Sequence, residues 1–222
     1  MTDPVVASEP TANPIADELG NRVPLPSTAR GRRRRDAIID AATDVMYENG
    51  IFQTSLDEVL ERGGAGKSQL YHYFGGKQAL IRAVIERQLE NVLATEPTFD
   101  SIRTWRDLEA WRDTFLARHS SESGPLGCRL GKFAGEVDND DVLRPVLLFA
   151  FEQWRSHMTA AFARIQDRGE LKVDADPEVL SKALLAAIQG GLLLGRLQRE
   201  VDPLAQAIAM AFGYIGAYRV AR

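Results

Sequence analysis

The sequence predicts an all-α fold in which an N-terminal three-helix head joins a larger helical body. Three observations predict it. Apolar residues recur at i, i+3, i+4 and i+7 in nearly every segment after residue 30, the period of a helix with one buried face. Glycines and two Asp-Pro pairs punctuate those segments where helices stop and start. Between Thr54 and Lys77, two short helical patterns flank Gly63 and Gly64, the plan of a helix-turn-helix, whose second helix enters the DNA major groove.

Composition narrows the function classes. A chain of 222 residues, 45% of them hydrophobic, can bury a real core. Its one cysteine excludes an intrachain disulfide and a cysteine-built zinc site, and fits a reducing cytosol. No apolar run approaches the length of a membrane span and the N-terminus lacks a signal-peptide layout, so the expected location is cytoplasmic, without a membrane partner. The net charge of −4 hides a segregation, because five arginines fall between Arg30 and Arg35. Phosphates respond to local charge within a Debye length of about 10 Å.

Residues 1–29, with five prolines and no sustained period, are expected to form a disordered arm. Residues 30–76 form the expected head and residues 77–222 the body. In the arginine run, Arg32 and Arg33 are candidates to grip the DNA backbone or an adjacent minor groove. The first helix, Arg32 to Asn49, buries Ile38, Ala41, Ala42, Val45 and Met46, and Gly50 ends it. Ile51 and Phe52 fold back onto the head. Thr54 or Ser55 caps the second helix, with Glu58 placed for a capping box. The third, Lys67 to Phe74, turns Leu70 and Phe74 inward and Lys67, Ser68, Gln69, Tyr71 and His72 outward, where a cation, a hydroxyl, an amide, a phenol and an imidazole can reach phosphates or base edges. A fourth helix, Gln78 to Ala94, links the head to the body.

In the body, helices are expected over 102–119, 128–137, 143–168, 177–200 and 203–218, with a loop over 120–127. Asp176 and Asp202 each precede a proline and serve as N-caps. The last two helices are apolar over most of their circumference, which predicts a four-helix dimer interface around a two-fold axis, the alternative being burial within one chain. Leu184, Ile188, Gly191, Leu192, Gly195, Ile208, Phe212 and Ile215 are its candidate residues, the glycines allowing close helix approach. An apolar cavity between helices is the expected ligand site, with Trp111, Phe115, Cys128, Phe133, Phe151, Trp154, Met158 and Gln189 as its candidate lining.

Other chemistry finds little support. Gly64-Ala-Gly-Lys-Ser68 resembles the end of a phosphate-binding loop, but Glu61 occupies the position of the required first glycine and no strand precedes it. The three histidines show no metal-ligand spacing, and no catalytic constellation is recognisable, so neither metal, cofactor nor enzymatic activity is expected. Cys128, beside Arg129 at a helix start, is either a thiolate sensor or a small core residue.

Residues 33–85, with Ile38-x-x-Ala-Ala42, Gly50, Thr54-Ser55, Gly64 and above all Lys67-x-x-Leu-Tyr-His-Tyr-Phe74 followed by Lys77-x-x-Leu80, resemble the TetR family of bacterial transcriptional regulators. The resemblance implies a homodimer whose heads read a near-palindromic double-stranded operator and whose body binds a small-molecule effector, the chain acting as a repressor released by that effector. It also implies that Lys67, Gln69, Tyr71 and His72 meet bases or phosphates and that Thr54 and Lys77 bind phosphate, with Ser55 in the same DNA-facing set. Tyr73 and Phe74 would be structural. Two departures stand out: Gly66 occupies the usual place of a serine cap, which should fray the third helix, and Leu60 and Gly63 replace small alanines. The rival reading is a dimeric helical small-molecule-binding protein without operator-specific DNA binding.

Overall fold

The computed structural model describes residues 25–95, 98–120 and 127–220. The arm expected over residues 1–29 lies mostly outside them, as does most of the 120–127 loop. Ten α-helices are described: α1 Ala29–Asn49, α2 Leu56–Arg62, α3 Lys67–Phe74, α4 Lys77–Leu93, α5 Trp105–Ser120, α6 Arg129–Lys132, α7 Ala134–Val137, α8 Leu143–Asp167, α9 Pro177–Gln198 and α10 Asp202–Gly216. Among the described residues there is no strand, only a single antiparallel bridge between Leu171 and Arg219. The all-α reading is correct.

The arginine run is helical. Thr28 Oγ1 accepts a hydrogen bond from the Gly31 N–H at 3.0 Å and caps α1, so Arg30 to Arg35 fill its first two turns and the helix starts at Ala29, ahead of the expected Arg32. The α1 stripe packs on α2 and α4 around Val45, Met46, Val59, Leu70, Phe74, Leu80 and Val84, all buried. Gly63 meets α1 so closely that a Cβ there would lie 3.3 Å from Ala41 Cβ, which accounts for glycine where the turn touches the first helix. Ile51 is buried, whereas Phe52 is half exposed.

α4 belongs to both halves, packing on α1 and on α8. Arg87 ties it to α1 through Asp36 at 2.7 Å and Asp40 at 2.8 Å. The expected helix over 128–137 is two single turns, α6 and α7, broken at Phe133. Asp176 caps α9 by accepting from the Glu178 N–H at 2.9 Å. Asp202 instead begins α10, with Val201 as the flanking residue and no side-chain cap.

Two expectations about α9 are overturned. By length and composition it could cross a membrane, although no apolar run was expected to reach that standard. Its apolarity serves packing here, since one face lies against α8 and α10. The second concerns the dimer residues. Leu184, Ile188, Gly191, Leu192, Gly195, Ile208, Phe212 and Ile215 are all buried within the chain. A Cβ at Gly191 would lie 2.7 Å from Leu204 Cα, and one at Gly195 would lie 2.8 Å from the Glu200 carbonyl oxygen, so those glycines permit the α9–α10 crossing itself. Because both helices are apolar over most of their circumference, periodicity could not tell their inner face from their outer one.

Candidate nucleic-acid interface and cavity

α3 stands on Leu70 and Phe74, buried against the head core, and turns its other side outward. Tyr71 is 58% exposed, and Lys67, Ser68 and His72 are exposed as well. The left-handed backbone at Gly64, φ +60°, and at Gly75, φ +76°, closes α2 and α3 in a region that glycine reaches cheaply. Gly66 lacks a capping hydroxyl, but Gln69 Oε1 reaches back to accept from the Gly66 N–H at 3.1 Å. The helix therefore supplies part of its own cap, and the carbonyl end of Gln69 is committed while its amide nitrogen remains available.

The other DNA candidates divide by what already holds them. Arg33, Ser55, Ser68 and Tyr71 are exposed and make no side-chain hydrogen bond or ion pair within the described residues, and His72 meets only the edge of Tyr73, 5.1 Å away. Lys67 pairs with Asp57 at 2.9 Å, an exposed contact that raises the lysine pKa by hydrogen bonding and can be exchanged for phosphate. Arg32 donates to the Pro26 and Ser27 carbonyls.

Two candidates are committed elsewhere. Thr54 is 3% exposed and its hydroxyl donates to the Gly50 carbonyl at 2.6 Å, so it faces the head, not a phosphate. Lys77 donates to the Phe52 and Thr54 carbonyls at 2.9 and 2.8 Å. It clasps the loop before α2 to the start of α4. Ser55 flanks α2 without capping it, and Glu58 accepts from Asn49 and Arg62 instead of completing a capping box.

Sequence reasoning missed that the arginine run splits its work. Arg35 lies 5.3 Å over the Phe74 ring, where burial lowers its pKa, and Arg34 donates to the Gly63 carbonyl. These two brace the recognition helix and its turn against α1. Arg30 and Arg33 remain on the rim of a groove that also contains Gln69 and Tyr73, so cationic and recognition residues form one surface.

In the body, a cavity of about 320 Å³ lies among α4, α5, α8 and α9. Trp111, Phe115, Cys128 and Trp154 line it as expected from sequence, joined by Gln88, Phe99, His119 and His157. Phe133 and Met158 do not, being fully enclosed in the core. Phe151 and Gln189 border a neighbouring groove with Cys128 and Leu193. One wall is a ladder of rings: Phe99 to Trp111 at 4.6 Å, Trp111 to Phe115 at 5.1 Å, and Phe115 to His119 at 4.4 Å. His119 Nδ1 lies 2.8 Å from the Phe115 carbonyl. A carbonyl can only accept, so Nδ1 carries the proton and Nε2 is an acceptor. Burial lowers the His119 pKa, which favours the neutral ring. Burial also raises the Cys128 thiol, whose sulfur accepts from the Gly131 N–H at 3.2 Å. The burial works against the lowered pKa of an activated thiolate, and the Gly131 N–H offsets it only in part.

Between cavity and head sits a contact cluster that no periodicity could reveal. The Tyr47 ring, near the end of α1, has Lys132, Arg129 and Arg196 against it at 4.5, 5.1 and 5.1 Å. Lys132 donates to the Tyr47 carbonyl, and Arg196 to its hydroxyl at 3.2 Å. Glu136 accepts from the Ile51 N–H at 2.6 Å. The α6–α7 segment that follows Cys128 thus holds the head.

Comparison with known proteins agrees with this geometry. The model for bacterial regulatory proteins of the tetR family matches residues 38–84, and that for the tetracyclin repressor-like C-terminal domain matches residues 105–211. The transcriptional regulator AcuR of Cereibacter sphaeroides is 27% identical, over 86% of this chain and 92% of its own length. The HTH-type transcriptional repressor DhaR of Mycobacterium sp. (strain GP1) is 26% identical, over 80% and 90%. A TetR-family regulator from Cytophaga hutchinsonii shares the fold with a TM-score of 0.75 at 20% identity, over 89% of this chain and all of that one. Head, turn, recognition helix and helical body all correspond to one family: the chain belongs to the TetR family and is a DNA-binding transcriptional regulator, not an enzyme.

Proposed function

We propose that the chain is a cytoplasmic homodimeric repressor that reads a near-palindromic operator and leaves it when a small molecule fills the body cavity. The observation that carries this reading is the placement of α3, with Leu70 and Phe74 buried and Tyr71 and His72 free at its outer edge. In this reading residues 30–76 form the DNA-binding head and residues 77–222 the effector-binding and dimerisation body, with α4 shared between them. Lys67, Ser68, Gln69, Tyr71 and His72 meet base edges or phosphates, while Arg32, Arg33 and Ser55 meet the backbone.

The dimer face is the outward side of the last two helices. On α9, Ala186, Gly190, Leu193 and Leu197 form one exposed stripe, and on α10 Ala209, Met210, Gly213 and Tyr214 form another. Leu197 is 72% and Met210 71% exposed. A Cβ at Gly190 or Gly213 would meet nothing within 4 Å in this chain, which leaves room for a partner helix. A contiguous apolar face of this kind marks an interaction site.

Release follows from the same contacts. Gln88, Asn91 and Val92 of α4 and the Gly127–Arg129 entry to α6 line the cavity, while α4 and α6–α7 hold the head. A ligand that fits only one placement of these elements biases the separation of the two α3 helices, which must match successive major grooves about 34 Å apart or a multiple. Moving a population from mostly bound to mostly released requires a differential affinity of about 5.5 kcal/mol.

A salt titration tests the DNA-binding surface. Affinity for a promoter duplex should fall steeply with salt, and Arg33→Ala should reduce the slope of log K against log salt by about one per lost phosphate contact, with sequence preference intact. A slope unchanged by Arg33→Ala would place that arginine off the DNA.

A further inference from the structure

Gln88 is a buried polar side chain of the cavity whose amide nitrogen is left unpaired among the described residues. It is 3% exposed, it lines the cavity from α4, and its Nε2 finds no hydrogen-bond partner among the described residues. A buried N–H without an acceptor is unfavourable, and proteins rarely leave one so. A helix position turned toward the body could take leucine here without altering the apolar stripe. The amide is therefore better explained by what enters the cavity than by what surrounds it.

The rest of the lining restricts the entrant. Phe99, Trp111 and Phe115, packed ring on ring, give the cavity an aromatic wall suited to a flat apolar body. The charged groups of the lining are engaged: Asp100 lies 2.8 Å from His157, Arg129 lies between Asp44 and the Tyr47 ring, and Arg118, which also lines the cavity, is not free either. Burial disfavours a charged His119. An anionic ligand would surrender its hydration without a free cation among these groups to replace it.

We infer that the effector is a neutral aromatic molecule bearing a carbonyl-type acceptor, which packs on the Trp111–Phe115 wall and takes its hydrogen bond from the Gln88 amide, whose enclosed Nε2 turns into the cavity to donate it. The inference rests on the reading of this cavity as the effector site. It places the one directional contact on α4, the helix that the head core and the body share, so that recognition and transmission begin at the same residue.

Three simple probes test it on the full-length wild-type protein and on Gln88→Leu, with binding followed by tryptophan emission and by ligand-observed NMR. Acetophenone supplies the ring and the carbonyl, ethylbenzene the same shape without the acceptor, and benzoate the anion. Gln88→Leu should weaken acetophenone about three- to tenfold, the worth of one neutral hydrogen bond, and leave ethylbenzene unchanged or tighter. Gln88→Met, which keeps the length of the side chain, should behave the same way and guards against a folding defect in the leucine variant. Acetophenone affinity untouched by both substitutions would overturn the inference, as would benzoate binding the wild type more tightly than acetophenone. Failure of the underlying reading looks different: none of the probes would bind, or binding would survive Phe115→Ala unchanged.

Discussion

Replacing Leu193 and Leu197 together by glutamate should convert the protein to a monomer at micromolar concentration while leaving its helicity and unfolding midpoint close to wild type. Both side chains are exposed in the single chain, Leu193 at 61%, so the monomer loses little by the exchange. In a dimer each glutamate would be buried opposite an apolar surface and its own symmetry mate, which is prohibitive for an unpaired carboxylate. Operator affinity should drop with the dimer by about 10² to 10⁴, because the second head no longer binds as an intramolecular partner of the first. Ile188→Ala should do the reverse. Ile188 is fully buried between α9 and its neighbours, so truncation costs about 2–5 kcal/mol of folding stability without addressing the interface. Sedimentation equilibrium and thermal unfolding separate the two cases, and a double glutamate variant that still sediments as a dimer would move the interface elsewhere.

The second large effect belongs to the recognition helix. Tyr71→Ala with His72→Ala should reduce the ratio of operator to random-duplex affinity by about 10² or more, since a good base contact is worth about 1–3 kcal/mol of discrimination. Non-specific binding should persist, because Arg33 and Lys67 are retained. Both residues project outward from α3 and neither contributes a hydrogen bond to the fold, so stability should change by no more than about 0.5 kcal/mol. Undiminished preference for the operator would mean that another face of the head reads the bases.

The sequence was most legible where one helix face is apolar and the other polar. In α3, Leu70 and Phe74 separate so cleanly from Lys67, Ser68, Tyr71 and His72 that burial followed from spacing alone. Legibility failed in three physical situations. Where α9 and α10 are apolar over most of their circumference, period gives no direction, and all eight residues assigned to the dimer proved to be the inner ones. Where a side chain bonds main-chain carbonyls, as Lys77 and Thr54 do, the partner leaves no mark in the sequence. Where a polar residue such as Gln88 sits at an inward position, its meaning depends on a cavity formed by segments distant in the chain. The arginine run shows an intermediate case: its charge was evident, but the capping of α1 by Thr28 decides that Arg34 and Arg35 face the head and Arg30 and Arg33 face outward.

Guanine N7 lies in the major groove, so methylation protection on the bound promoter probes most directly the claim that two copies of α3 enter that groove. Two clusters of protected guanines should appear, separated by one helical turn or a whole number of turns. A single cluster, or full binding with every N7 still reactive, would contradict the account.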